Sequence, residues 1–165
     1  MYPYTAADVE FMSGMIAHHA QAVLIAKWAP SHGASPALQR LCERIVVGQS
    51  DEIDLMQTWL RDRGEKLPAT DAHQGHHGML MPGMLTPEQV SQLDRARGVE
   101  FDRLFLTGMI QHHEGAIVMV DKLFASPGAG QDEVVFRFAS DVYADQTTEI
   151  EHMKKMLAGL PSSPP

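Results

Sequence analysis

Asp8-Val9-Glu10-Phe11-Met12-Ser13-Gly14-Met15-Ile16-Ala17-His18-His19-Ala20-Gln21-Ala22 returns later in the chain as Asp102-Arg103-Leu104-Phe105-Leu106-Thr107-Gly108-Met109-Ile110-Gln111-His112-His113-Glu114-Gly115-Ala116. Asp, Phe, Gly-Met-Ile, His-His and Ala keep the same spacing in both copies. A second pair of segments behaves alike: Gln49, Glu52-Ile53, Met56 and Leu60 match Gln146, Glu149-Ile150, Met153 and Leu157. Self-similarity of this kind marks an internal duplication, in which each copy is one supersecondary unit unable to bury its apolar face alone.

The punctuation around these segments is helical. Thr5 followed by Asp8 makes a capping-box start for a helix running to about Ala29. Ser35-Pro36 supplies an N-cap and a first-turn proline, and Gly64 a stop, for a helix over 36–63. Thr86-Pro87-Glu88-Gln89 opens a third helix, and Gly98 divides a short lead-in from a main helix over 99–125. A last helix starts near Gln131 and ends before Gly159-Leu160-Pro161. Val, Ile and Thr never alternate with polar residues as a strand would require. The expected fold is all-α, one domain over 1–165. A hairpin repeat at 5–63 and another at 87–158 close on each other as a four-helix bundle with a pseudo-twofold axis. A connector at 64–86 joins them, and a Pro-rich tail follows at 159–165.

Composition narrows the chemistry. A hydrophobic fraction of 44% and a charged fraction of 21% suffice for a core. One Cys excludes a disulfide scaffold, a Cys-based zinc ribbon and a CxxC redox site. A net charge of -8 argues against nucleic acid and anionic membrane surfaces as partners. The longest clean apolar run, Ala22 to Ala26, is too short for membrane insertion. No charged, apolar leader opens the chain, as expected of a cytosolic protein or of a secreted one after processing. The unusual entries are 11 Met and 9 His.

Their placement suggests a metal. On a helix, Met15 with His18 and His19 forms one patch through i, i+3 and i, i+4 relations, and Met109 with His112 and His113 repeats it. A lone His on an apolar face is commonly a hydrogen-bonded core residue, and Met commonly fills space. Four buried imidazoles in matched pairs would be costly without partners. Glu52 with Met56 and Glu149 with Met153 share the inward face of the partner helices. Those carboxylates serve either as ligands or as hydrogen-bond acceptors that orient metal-bound imidazoles. Imidazole suits zinc, copper, iron and nickel, whereas thioether sulfur selects soft ions, above all Cu(I). The connector adds His73, His76, His77, Met79, Met81 and Met84, a second and labile ligand set. A di-iron bundle would need Glu-x-x-His on two helices. Only Glu149-x-x-His152 supplies it, because Leu55 holds the matching position. Cys42 falls on an apolar helix face and reads as a buried, inert thiol.

The Met-x-x-His-His run of both copies, the Gln-x-x-Glu-Ile-x-x-Met segments and Met81-Pro82-Gly83-Met84 before Leu85-Thr86-Pro87-Glu88 resemble the bacterial domain-of-unknown-function family 305. The resemblance covers about residues 5 to 158. It implies a ferritin-like four-helix fold, an extracytoplasmic (periplasmic or secreted) location and, for some members, copper binding and copper tolerance. The family positions map to Met15, His18, His19, Met109, His112, His113, Glu52, Met56, Glu149 and Met153.

The expectation is a non-enzymatic copper-binding protein that sequesters or carries Cu(I), with Cu(II) also admitted, outside the cytoplasm. Its partners would be the metal ion and a metal donor or acceptor protein. Two other classes stay open: a ferritin-like iron or manganese oxidoreductase, and a non-catalytic helical interaction module.

Overall fold

The computed structural model describes residues 3–68 and 80–162. It contains α1 (Ala6–Ala26), α2 (Pro36–Asp62), α3 (Pro87–Arg95), α4 (Val99–Ala125) and α5 (Glu133–Ala158), with no strand among the described residues. α1 starts where the capping box predicts. The Asp8 N–H donates to Thr5 Oγ1 at 3.2 Å, and the Thr5 N–H to Asp8 Oδ2 at 2.8 Å. It ends three residues sooner than the sequence suggests. Trp28 and Ala29 donate to Ile25 and Ala26, tightening the chain into turns just before Pro30, which has no N–H to extend a helix.

Composition sorts the long helices into inner and outer pairs. α1 carries only Asp8 and Glu10 as charged residues and is buried on most sides, whereas α2 and α5 are charged along their outer faces. α1 packs on α2, α4 packs on α5, and the two hairpins join through α1 against α4. α3 rests on α4 as a short lead-in.

Two apolar cores result, one at each end. Ile25, Leu38, Leu41, Phe101, Phe105 and Met153 fill one; Phe11, Met12, Met56, Trp59, Met119 and Phe138 are among those filling the other. Each fully buried large side chain contributes about 1.5–3 kcal/mol. Each long helix passes from one core to the other, and at its midpoint carries the duplicated polar residues: His18-His19, Gln49 with Glu52, His112-His113, or Gln146 with Glu149. The motifs therefore stack as one polar layer between two greasy ends.

The repeated aspartates lock the halves together. Asp8, at the start of α1, accepts the Gly130 N–H at 2.7 Å in the turn before α5. Asp102, at the start of α4, accepts the Ser35 N–H at 3.2 Å in the turn before α2. Each copy thus fixes the turn of the other. At one end, Asp132 caps α5, binds the Trp59 indole N–H at 3.1 Å and pairs with Arg63 at 2.9 Å. Burial pushes its carboxyl up, but hydrogen bonds from Val135 and Trp59 and the charge of Arg63 outweigh this and hold it below the usual range.

Candidate metal centre

His18 and His112 meet where α1 crosses α4, with ring centroids 3.6 Å apart and planes 31° apart. The His18 Nε2–H donates to the Pro82 carbonyl at 3.0 Å, which leaves its Nδ1 a bare acceptor. His18 Nδ1 has no hydrogen-bond partner, and neither has either ring nitrogen of His112. Burial drives the His18 imidazolium down to a pKa of about 3, helped by the neighbouring His19 and His113. Burial likewise holds His112 well below its ordinary value, with His18 as the nearest added cause. Both rings are neutral at physiological pH, the state a metal requires.

His19 and His113 flank this pair. Each bonds through Nε2 to a carboxylate of the facing outer helix, His19 to Glu52 and His113 to Glu149. Each has an unpartnered, buried Nδ1. A carboxylate on one nitrogen and a free lone pair on the other is the arrangement that orients an imidazole toward a metal. Glu52 and Glu149 are thus engaged by the imidazoles and well placed to steer them.

The thioethers lie to either side. Met15 and Met56 are fully buried in one core, and Met109 and Met153 in the other. The Met15 end is richer in sulfur. Met12 and Met119 line it, and Met81 of the connector packs against it. A Cβ on Gly14 would sit 3.0 Å from Met81 Sδ and 3.3 Å from Met119 Cε. The repeat has Leu106 where the first copy has Met12, so the two ends differ in softness. Among the described residues, no three His, Cys, Asp or Glu side chains converge as a ready cage. Imidazole pairs and thioethers are the donors on offer.

The end of the connector, residues 80–86, crosses this layer as a strap. Its path explains the repeated glycines. Gly14 receives Met81, and Gly108 receives Leu85, whose Cδ2 lies 3.0 Å from where a Cβ would stand. Pro82 O would lie 1.9 Å from a Cβ on Gly115, and Gly83 turns there with φ +77°. Gln21 grips the Leu85 backbone on both sides, accepting its N–H at 2.8 Å and donating to its carbonyl at 3.0 Å. Met84 is buried beneath the strap's far end. His73, His76, His77 and Met79 lie outside the described residues.

The four imidazoles and four paired thioethers are all buried, and the strap's grip on His18 has no local signal in the sequence. Gln49 and Gln146 share a helix face with Glu52 and Met56, and with Glu149 and Met153, but the sequence gives them no role. Both are buried, and each has an Oε1 with no partner. Their recurrence at matched positions was the available signal. Cys42 is buried as expected, and burial pushes its thiol up to about 12. No helix among the described residues is long and apolar enough to cross a membrane.

Known proteins share this architecture. A DUF305 protein of Streptomyces coelicolor, described as a candidate secreted protein, superposes with a TM-score of 0.80 at 26% identity, covering 96% of this chain and 98% of that one. CopM in its Cu(I)-bound form gives a TM-score of 0.72 at 26% identity, over 93% of this chain and 96% of that one. CopM has also been solved with Cu(II) and with silver. An uncharacterized protein of Acanthamoeba polyphaga mimivirus is 32% identical over 56 residues, which span 34% of this chain and 37% of that protein. The model for the domain of unknown function DUF305 matches residues 8–157, nearly the whole chain, and the protein is a member of the DUF305 family.

Proposed function

We propose that this protein binds copper, Cu(I) foremost and Cu(II) as well, and sequesters or carries it outside the cytoplasm without catalysing a reaction. The carrying observation is the set of buried, unpartnered ring nitrogens on His18, His19, His112 and His113. A buried polar atom left without a partner costs about 1–3 kcal/mol, and a metal ion converts that cost into ligation. Met15, Met56, Met109 and Met153 supply soft sulfur from the adjoining cores, a preference that favours Cu(I). Two imidazoles are pre-oriented by Glu52 and Glu149, so little ordering is needed on binding. The Cu(I), Cu(II) and silver forms of CopM support the same reading, and the S. coelicolor neighbour supports the location. The connector's His and Met residues would then capture metal or pass it to a partner protein.

The test is a titration of reduced protein with Cu(I) against a competing chelator. Binding is expected in the native protein and lost when His18, His19, His112 and His113 are replaced by Ala. Copper affinity unchanged in that variant would overturn the assignment.

A further inference from the structure

The two faces of the histidine layer differ. On the α1–α4 side the strap closes it, with Pro82 and Gly83 in backbone contact with Gly115 and the Pro82 carbonyl bonded to His18. On the opposite side α2 and α5 stand apart, leaving a cleft of about 540 Å³. Its walls carry Glu52, Asp145 and Glu149 against a single Arg44, with His152 also on the wall. An adjoining recess adds Asp141 and Glu133 against Arg137. Gln49 and Gln146 also line the cleft. Each is only 6% exposed, and each has an Oε1 oxygen without a partner.

Resting on the copper reading, we propose that this cleft is an oxygen-donor vestibule. It draws in a hydrated divalent cation by the charge of Glu52, Asp145 and Glu149, holds it on one carboxylate at a time with the rest of its water, and passes it inward past Gln49 and Gln146 to the imidazoles. Carboxylate and amide oxygens suit an ion that still holds its water, whereas the imidazoles and thioethers beyond supply nitrogen and sulfur. Excess negative charge inside low-dielectric walls concentrates cations and speeds their capture. The cation sheds water in the vestibule, where oxygen replaces it, before reaching donors that water does not accompany. The same carboxylates that orient His19 and His113 therefore face both compartments, because Glu52 and Glu149 are partly exposed while their partner imidazoles are fully buried.

The asymmetry of the duplication supplies clean variants. Gly48 and Asp145 occupy matched positions on facing walls, and a Cβ on Gly48 would meet nothing within 4 Å. Gly48→Leu should narrow the cleft without a clash, and Asp145→Asn should remove one of its charges. Neither residue hydrogen-bonds to an imidazole of the layer. The experiment mixes full-length protein with aqueous Cu(II), follows uptake by stopped flow and freezes samples at intervals for electron paramagnetic resonance. Carboxylate-ligated Cu(II), with a spectrum distinct from that of free aqueous Cu(II), is expected first, followed by conversion to nitrogen ligation.

Asp145→Asn should slow capture about tenfold at low salt, with the difference shrinking at high salt. Gly48→Leu should slow the conversion to nitrogen ligation and leave the final copper content unchanged. Nitrogen ligation from the earliest sample, at native rates in both variants, would overturn the vestibule. A stable carboxylate-ligated signal, distinct from free aqueous Cu(II), that never converts would keep the vestibule and overturn the histidine centre. Absence of any bound Cu(II) would overturn both.

Discussion

At the residue scale, His112 makes the most exacting demand. A neutral imidazole carries one donor and one acceptor, and here both ring nitrogens are buried without a protein partner. Such a side chain is a stability defect in the metal-free protein. His112→Leu should therefore raise the metal-free unfolding free energy by about 1–3 kcal/mol in urea titration while lowering copper affinity. A lower melting temperature for the metal-free variant would mean that the ring already has a partner. Gly115 makes the opposite demand. Gly115→Ala drives a methyl into the Pro82 carbonyl, so the strap must lift and His18 must lose its acceptor. The expected cost is about 1–3 kcal/mol, again read from urea unfolding. In both cases the residue type was plain in the sequence, but its reason lay in a contact with a distant segment.

At the scale of elements, the reciprocal aspartates decide how the hairpins are held. Asp8 and Asp102 are buried and reach across to Gly130 and Ser35 in the opposite copy's turn. Asp8→Ala and Asp102→Ala should each cost about 0.5–2 kcal/mol, as the loss of a helix-terminal acceptor does. The two sites lie in opposite halves and share no partner, so a chemical-denaturation cycle should find the double variant close to additive. Helix number, helix starts and inward faces were legible because caps and apolar spacing are local signals. The recurrence of Asp8 as Asp102 was visible too, but a capping interaction between halves depends on how the hairpins dock. The strap and the gap between α2 and α5 were hidden for the same reason. Nothing in Met81-Pro82-Gly83-Met84 says which helices it crosses, and nothing in two amphipathic helices says that they stand apart. The early end of α1 is subtler: Pro30 marked the break, but its effect on the preceding three residues depends on how the chain turns there.

At the scale of the whole molecule, the buried histidines couple stability to acidity. An unfolded histidine titrates near 6.5, whereas folded His18 titrates near 3 and His112 well below 6.5. Between those values the unfolded chain binds protons that the native layer refuses. Metal-free stability should thus be full above about pH 6.5 and decline as pH falls toward 3, by about 1.4 kcal/mol per unit for each such histidine. Thermal unfolding of metal-free protein at several pH values checks this. Bound Cu(I) should raise the melting temperature at pH 7, because it binds the folded form, and lose that advantage in acid as protons displace it from the imidazoles.

The crossed pairing of Asp8 with Gly130 and of Asp102 with Ser35 has one more consequence. It is the self-complementary exchange by which two identical subunits make an isologous dimer. A single hairpin carries both sides of that handshake, Asp8 and the Ser35 turn in the first copy, or Asp102 and the Gly130 turn in the second. Covalent fusion of the two releases the partners from having to be identical. Glu52 and Glu149 stayed alike in the two copies, while Gly48 is matched by Asp145, Leu55 by His152 and Met12 by Leu106. A symmetric assembly has to build every feature twice; this chain can give one end sulfur and one wall charge.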